Sequence, residues 1–239
     1  MTKPVLVAES IAKSFAGRRV LSSATLRAVP GELRVLFGRN GCGKSTLLKI
    51  AAGWLVPDGG AIHFDGRVYL STHLRVLASQ GLFYLPDYDL LSTAFTVRHQ
   101  LEMCRHQFHG GSVDDAAARL GIGDHLERRP SELSGGERRR AELATIFVRR
   151  PKCVLADEPY RGIAPKDAED LTRAFSELAA EGIAVVITGH EVPTLLHAAN
   201  HISWCTSGTT YELGPPDAAV KHDAFRREYL GTWSLSGAI

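Results

Sequence analysis

The chain has 239 residues, 44% of them hydrophobic and 23% charged, enough for one substantial α/β domain with a real core. The formal net charge of +2 gives no electrostatic case for a nucleic-acid partner. No apolar run approaches the roughly 18 to 20 residues that cross a bilayer, and "MTKPVLVAES" lacks the basic start and long apolar stretch of a secretory signal.

"PVLVAESIAKSF" and "RRVLSSATLRAV" read as β-strands around a turn at Ala16-Gly17. "ELRVLF" is a short apolar strand, followed by a glycine-rich loop and the helical "STLLKIAAG" with a stop at Gly53. "GAIHFDGRVY" is a second hairpin turning at Asp65-Gly66. From Thr96 to Leu126 the texture becomes helical, with two short helices split by Gly110-Gly111. Alternation then resumes, with "GGERRRAELATIFVRR" leading to "KCVLAD" and "KDAEDLTRAFSELAAEG" leading to "IAVVIT". Leu171, Ala174, Phe175, Leu178 and Ala179 follow helical spacing, so one face packs on a sheet. "IAVVIT" is apolar on both faces, as a covered parallel strand requires. The tail "ISWCTSGTTYELGPP" reads as a hairpin and "AAVKHDAFRREYL" as a helix. The pattern predicts a mostly parallel sheet with helices on both faces, and a smaller antiparallel sheet against it made by the N-terminal strands.

"GRNGCGKST" carries the chemistry of a phosphate-binding loop between strand and helix. Gly38, Gly41 and Gly43 let the backbone wrap phosphates, and the following helix aims its positive dipole end at them. Lys44 reaches the β and γ phosphates and Ser45 offers a hydroxyl to Mg²⁺, while Arg39, Asn40 and Cys42 contribute backbone contacts and Thr46 closes the ATP-binding motif. "CVLADE" sets Asp157 and Glu158 at a strand's C-terminal end, where Asp157 suits Mg²⁺ and Glu158 suits a general base. "LSGGE" opens a helix with a capping box from Ser134 to Glu137, and the adjacent Gly135 and Gly136 suit a phosphate approaching that N-terminus closely. "VVITGHE" puts His190 just past a buried strand, where it can donate to a γ-phosphate.

Cys42, Cys104, Cys153 and Cys205 form no CxxC pair and are far apart, so they read as free thiols rather than a metal or disulfide set. Arg138, Arg139 and Arg140 alternate with Glu137 and Glu142 around a helix, which favours a solvated or salt-bridged face over a nucleic-acid surface.

In this order and spacing the motifs resemble the ATP-binding cassette (ABC) ATPase family over nearly the whole chain: "GRNGCGKST" as Walker A, "LSGGE" as signature, "CVLADE" as Walker B and "TGHE" as the switch-histidine region. The resemblance implies one P-loop NTPase domain over 1–239. Its α/β core covers 1–86 and 150–239 with an antiparallel β part, and an inserted helical subdomain spans about 87–149. It implies ATP and Mg²⁺ as cofactors. It also implies two cassettes, identical or different, sandwiching ATP so that Ser134, Gly135, Gly136 and Glu137 meet the other cassette's nucleotide. Phe15 stands where the family stacks an aromatic on adenine, with Val20 lining the same pocket.

Two positions depart from the family. Asp87 replaces a glutamine that helps hold Mg²⁺, and remains a feasible oxygen ligand. Ala164, in "GIAP", replaces an aspartate that links the two sites, which implies weaker coupling without loss of hydrolysis. The implied function is the ATP-hydrolysing subunit of a transporter, cytoplasmic and peripheral on the membrane, serving a separate transmembrane permease. That permease would dock near 90–107 against side chains such as Leu90, Leu91 and Phe95. The tail "AFRREYLG" resembles those of the ATPases of lipopolysaccharide export and branched-chain amino-acid import. A soluble ATPase switch and a hydrolysis-attenuated regulator are the competing readings.

Overall fold

The computed structural model describes residues 2–189 and 192–231. Strands β1 (Leu6–Phe15) and β2 (Arg18–Ala28) form an antiparallel hairpin. Strand β3 (Leu33–Phe37) delivers the chain to helix α1 (Lys44–Ala51). The hairpin β4 (Gly59–Phe64) and β5 (Arg67–Tyr69) pairs with β1. Helix α2 (Leu74–Ser79) and strand β6 (Leu82–Leu85) follow, then helices α3 (Val97–Phe108), α4 (Val113–Arg119) and α5 (Gly135–Arg149). Strand β7 (Cys153–Ala156), helix α6 (Pro165–Ala180), strand β8 (Ala184–Thr188) and helix α7 (Val192–Ala198) complete two αβ repeats. The hairpin β9 (His201–Thr206) and β10 (Thr209–Gly214) and the short helices α8 (Pro216–Ala219) and α9 (Asp223–Phe225) close the chain.

The strands join in the order β5-β4-β1-β2-β10-β9-β3-β8-β7-β6. The central pairs β9-β3, β3-β8, β8-β7 and β7-β6 are parallel. Alternation in these strands feeds two cores. Val185 and Ile187 of β8 enter one, with Phe37, Leu171 and Phe175, while Ala184 and Val186 enter the other, with Leu36, Leu47 and Leu48. Both faces of the parallel strands are therefore covered, which accounts for their unbroken apolar runs.

Three expectations change. The antiparallel strands do not form a separate sheet, because Thr209 of β10 pairs in parallel with Ser23 of β2 and makes the sheet continuous. Helix α2, missed in the sequence, is six residues long with only Leu77 buried, too short for a periodic signal. The expected C-terminal helix breaks into α8, α9 and a single wide turn at Arg226–Leu230. His222 restarts the chain by accepting the Phe225 N–H, and Phe225 and Tyr229 stack on each other and against Phe37.

The arginines of α5 are salt-bridged, as the alternation with glutamates implied, and their partners tie the helix to its surroundings. Arg138 pairs with Asp89 at 2.6 Å, and Arg140 pairs with Asp167 of α6. Arg139 is buried, bonded to Glu142 at 2.6 Å and donating to the carbonyls of Pro86 and Pro159 at 3.0 Å each. Glu142 also accepts the Leu90 N–H at 2.8 Å. Burial raises the Glu142 carboxyl pKa, and Arg139 opposes that shift. One buried pair thus anchors α5 to the loops leaving β6 and β7. Removing one partner strands a buried charge, so Arg139→Met should cost about 3–5 kcal/mol in urea unfolding. The double change Arg139→Met with Glu142→Leu should recover most of that loss.

Candidate nucleotide site

The loop after β3 and the start of α1 line a pocket of about 990 Å³. Asn40, Gly41, Cys42, Gly43, Lys44, Ser45 and Thr46 form its floor. Helix α1 opens without a side-chain cap, so its first-turn N–H groups face the loop unopposed by a side chain. Gly43 at φ 108 is in a region costly for other residues, and a Cβ there would meet Leu21 at 2.6 Å. Lys44 is buried and donates to the Gly38 carbonyl at 2.8 Å, with Glu158 at 3.9 Å. Arg39 turns away, donating to the Glu228 carbonyl at 2.7 Å, so its side chain braces the C-terminal turn.

Asp157 is fully buried at the end of β7. One carboxylate oxygen accepts from the Ser45 hydroxyl at 2.9 Å and the Thr188 hydroxyl at 2.8 Å, the other from the Tyr84 hydroxyl at 3.2 Å. Burial first, and then the Asp157 charge, raise the Tyr84 pKa and keep it a donor. Glu158 adopts φ 42, an uncommon backbone state for a non-glycine, and its N–H donates to Thr188 at 2.9 Å. Thr188 therefore positions both acids. Sequence reading missed it because a threonine ending an apolar strand looks like any strand residue; its only signal is its place at the same sheet edge as Asp157.

Phe15 is exposed and Val20 half-buried, and both line the pocket's outer wall. The Lys13 ammonium lies 5.5 Å from the Phe15 ring centroid. Arg18, Arg19 and Arg161 surround the mouth, none of them expected from sequence. Asp87 lines the same pocket and meets Arg161 at 3.4 Å. His190 lies outside the described residues.

Ser134–Glu137 do not line this pocket. The capping box is present, with the Glu137 N–H donating to Ser134 at 3.3 Å and the Ser134 N–H to Glu137 at 2.8 Å. Those bonds lower the Glu137 pKa. Ser134 and Gly135 are exposed, whereas Gly136 is buried. A Cβ on Gly136 would lie 2.3 Å from the Asp167 carboxylate, so a larger residue there would have to displace that side chain. Gly135 has no such constraint, its nearest neighbour being the Gly162 carbonyl at 3.7 Å.

A separate apolar groove of about 420 Å³ runs along α3 and includes Leu90, Leu91, Phe95 and Met103. Leu91 is 8% exposed and serves the core, contrary to the expected docking role. The exposed apolar side chains are Phe95 and Met103, at 47% and 55%.

Residues 21–161 match the family described as ABC transporter. The chain is 30% identical over 237 residues to the lipopolysaccharide export system ATP-binding protein LptB of Haemophilus influenzae, covering 95% of this chain and 97% of that one. It is 32% identical over 240 residues to the protein of the same name from Escherichia coli K12, with the same coverage. The ADP conformation of an ATP-binding cassette of an ABC transporter aligns with a TM-score of 0.83, over 96% of this chain and all of that one at 24% identity. A nucleotide-free cassette aligns at 0.81, over 90% and 93% of the two chains at 23% identity. At these identities the two structures establish a shared fold.

Thr188→Val keeps the shape but leaves the Glu158 N–H unpaired and removes one donor from Asp157. Chemical denaturation should show a loss of about 1–3 kcal/mol, mostly restored in Thr188→Ser.

Proposed function

Because the chain belongs to the ABC transporter family, as an ATP-binding subunit that hydrolyses ATP, we propose that it pairs with a second cassette on ATP and drives a separate membrane-spanning partner from the cytoplasmic face. One observation carries this reading. Lys44, Ser45 and Glu158 share one pocket, while Ser134 and Gly135 stand exposed outside it, free to meet a nucleotide held by another chain. The second cassette can be a copy of this chain or a different one.

The polyphosphate lies along the backbone from Gly38 to Thr46, and Lys44 offsets its charge as negative charge builds on the leaving group. Phe15 stacks on the base, with Val20 beside it. The donor set beneath the loop is made of oxygens alone, with Ser45 Oγ and Asp157 Oδ1 2.9 Å apart, and it fits a hard divalent cation. Mg²⁺ would be held by Ser45 and Asp157, with Asp87 at the rim, and supplies charge stabilisation to the phosphates. Glu158, fixed by Thr188, accepts a proton from the attacking water, and His190 orients the terminal phosphate. The region from 87 to 149 acts as a helical subdomain carrying the signature helix, and the remainder as the core.

The partner docks along the α3 groove, with Phe95 and Met103 as its apolar contacts. The names of the relatives favour export of a lipopolysaccharide-like amphiphile as the setting. Ala164 weakens communication between the two sites while leaving hydrolysis intact.

Glu158→Gln should lower ATP turnover at least about 100-fold in a phosphate-release assay. With Mg-ATP the same variant should double its mass in solution. Wild-type turnover no higher than that of the variant would reject this reading. Met103→Glu should abolish co-purification with the membrane partner and leave the turnover of the isolated chain unchanged.

A further inference from the structure

Cys42 and Cys205 lie 163 positions apart in sequence, and the fold stacks one on the other. The Cys205 thiol donates to the Cys42 carbonyl at 3.3 Å. The phosphate loop passes directly over β9 at this point. A Cβ on Gly38 would lie 2.6 Å from the Cys42 sulfur and 2.4 Å from the Cys205 carbonyl.

The two sulfurs differ in kind. Cys42 is half-buried and lines the nucleotide pocket, whereas Cys205 is wholly buried behind it. The hydrogen bond from Cys205, then the charge and backbone N–H of Lys44, bring the Cys42 thiol down to about 7 against the pull of burial. The same bond and burial push Cys205 up. The pocket thus presents a partly exposed, acidified thiol with a second thiol at its back, the arrangement of an attacking and a resolving cysteine. Cys104 and Cys153 lack this arrangement: Cys104 meets the Thr145 carbonyl rather than a second thiol, and neither lines the nucleotide pocket.

We propose that Cys42 and Cys205 are a modification site at which a hydroperoxide forms a disulfide and closes the nucleotide pocket from beneath. The Cys42 thiolate attacks the outer peroxide oxygen, the O–O bond breaks, and the departing oxygen takes a proton as water or an alcohol. Cys42 is left as a sulfenic acid. The Cys205 sulfur then attacks the Cys42 sulfur, and the displaced hydroxide leaves as water with the Cys205 proton. Two thiols are oxidised by two electrons and one peroxide is reduced. A dithiol reductant reverses the step and becomes a disulfide itself.

A disulfide holds its two Cβ atoms about 3.5–4.5 Å apart, so it fixes Cys42 covalently to β9. Cys42 donates its N–H to the Arg39 carbonyl at 3.2 Å, and Lys44 is tied to the Gly38 carbonyl, so the loop moves as a unit. This consequence rests on reading the pocket as the nucleotide site; the chemistry of the pair does not.

The test treats the purified, reduced chain with hydrogen peroxide and maps unreduced peptides by mass spectrometry. A Cys42–Cys205 linked peptide is expected, with free thiols falling from four to two. Affinity for a fluorescent ATP analogue should fall at least about 10-fold and return with dithiothreitol. Cys205→Ala should form no link and should accumulate a dimedone-trapped sulfenic acid on Cys42. Cys104→Ser should behave as wild type. Absence of the linked peptide from oxidised wild type overturns the proposal, as does a link that leaves affinity unchanged. Failure of the reduced chain to bind the analogue at all would instead reject the nucleotide reading, while the linked peptide still judges the thiol pair.

Discussion

A carboxylate without access to water holds this structure's working end together. Asp157 accepts hydroxyl donors from three separate segments, Ser45 at the start of α1, Tyr84 in β6 and Thr188 ending β8. Each of these arrives at the same edge of the parallel strands, so the carboxylate reads out the register of the sheet. Burying a carboxylate is unfavourable by several kcal/mol unless its oxygens are satisfied. Slippage of β6 or β8 against β7 would undo that satisfaction. The constraint extends one residue further, because the hydroxyl of Thr188 that donates to Asp157 also accepts from the Glu158 backbone. The positive φ of Glu158 is held by the same atom that holds its neighbour.

A second buried charge plays the corresponding part for the helices. Arg139 and Glu142 fasten α5 to the carbonyls of Pro86 and Pro159 and to the N–H of Leu90. Pro86 precedes Asp87, and Pro159 follows Glu158. The helix that displays Ser134 and Gly135 is therefore bonded to the residues flanking both loops at the pocket. A displacement of either loop is felt by α5 through direct hydrogen bonds, with no need for a longer relay. The Arg140–Asp167 pair and the close approach of Asp167 to Gly136 add a third attachment, to α6.

Much of this was legible in the sequence where a local rule applied. The phosphate loop, the capping box of Ser134 and Glu137, the turn at Asp65-Gly66 and the buried face of α6 depend on neighbours within a few positions. The misses share the opposite property. Thr188, Tyr84 and Arg139 acquire their roles from partners 20 to 73 residues away, and no spacing rule reports such contacts. The cysteines were read as unrelated for the same reason. The second glycine of "LSGGE" shows a subtler limit. Gly136 and Gly135 share a motif, yet only Gly136 lies under a neighbouring side chain, the Asp167 carboxylate.

The two departures from the family pattern, Asp87 and Ala164, are best understood as one electrostatic change. Asp87 puts a negative charge at the pocket mouth where the family has a neutral amide. In the loop after Glu158, Ala164 removes an acid, and three positions earlier Arg161 supplies a base. Asp87 and Arg161 meet at 3.4 Å, with the arginine 67% and the aspartate 28% exposed. An ion pair so open to water is worth about 0–1 kcal/mol, so it neither locks the mouth shut nor resists exchange. An entering polyphosphate attracts Arg161, and a cation beneath it attracts Asp87, each at the expense of the pair. The loop after Glu158 thus carries a guanidinium at the mouth of its own pocket.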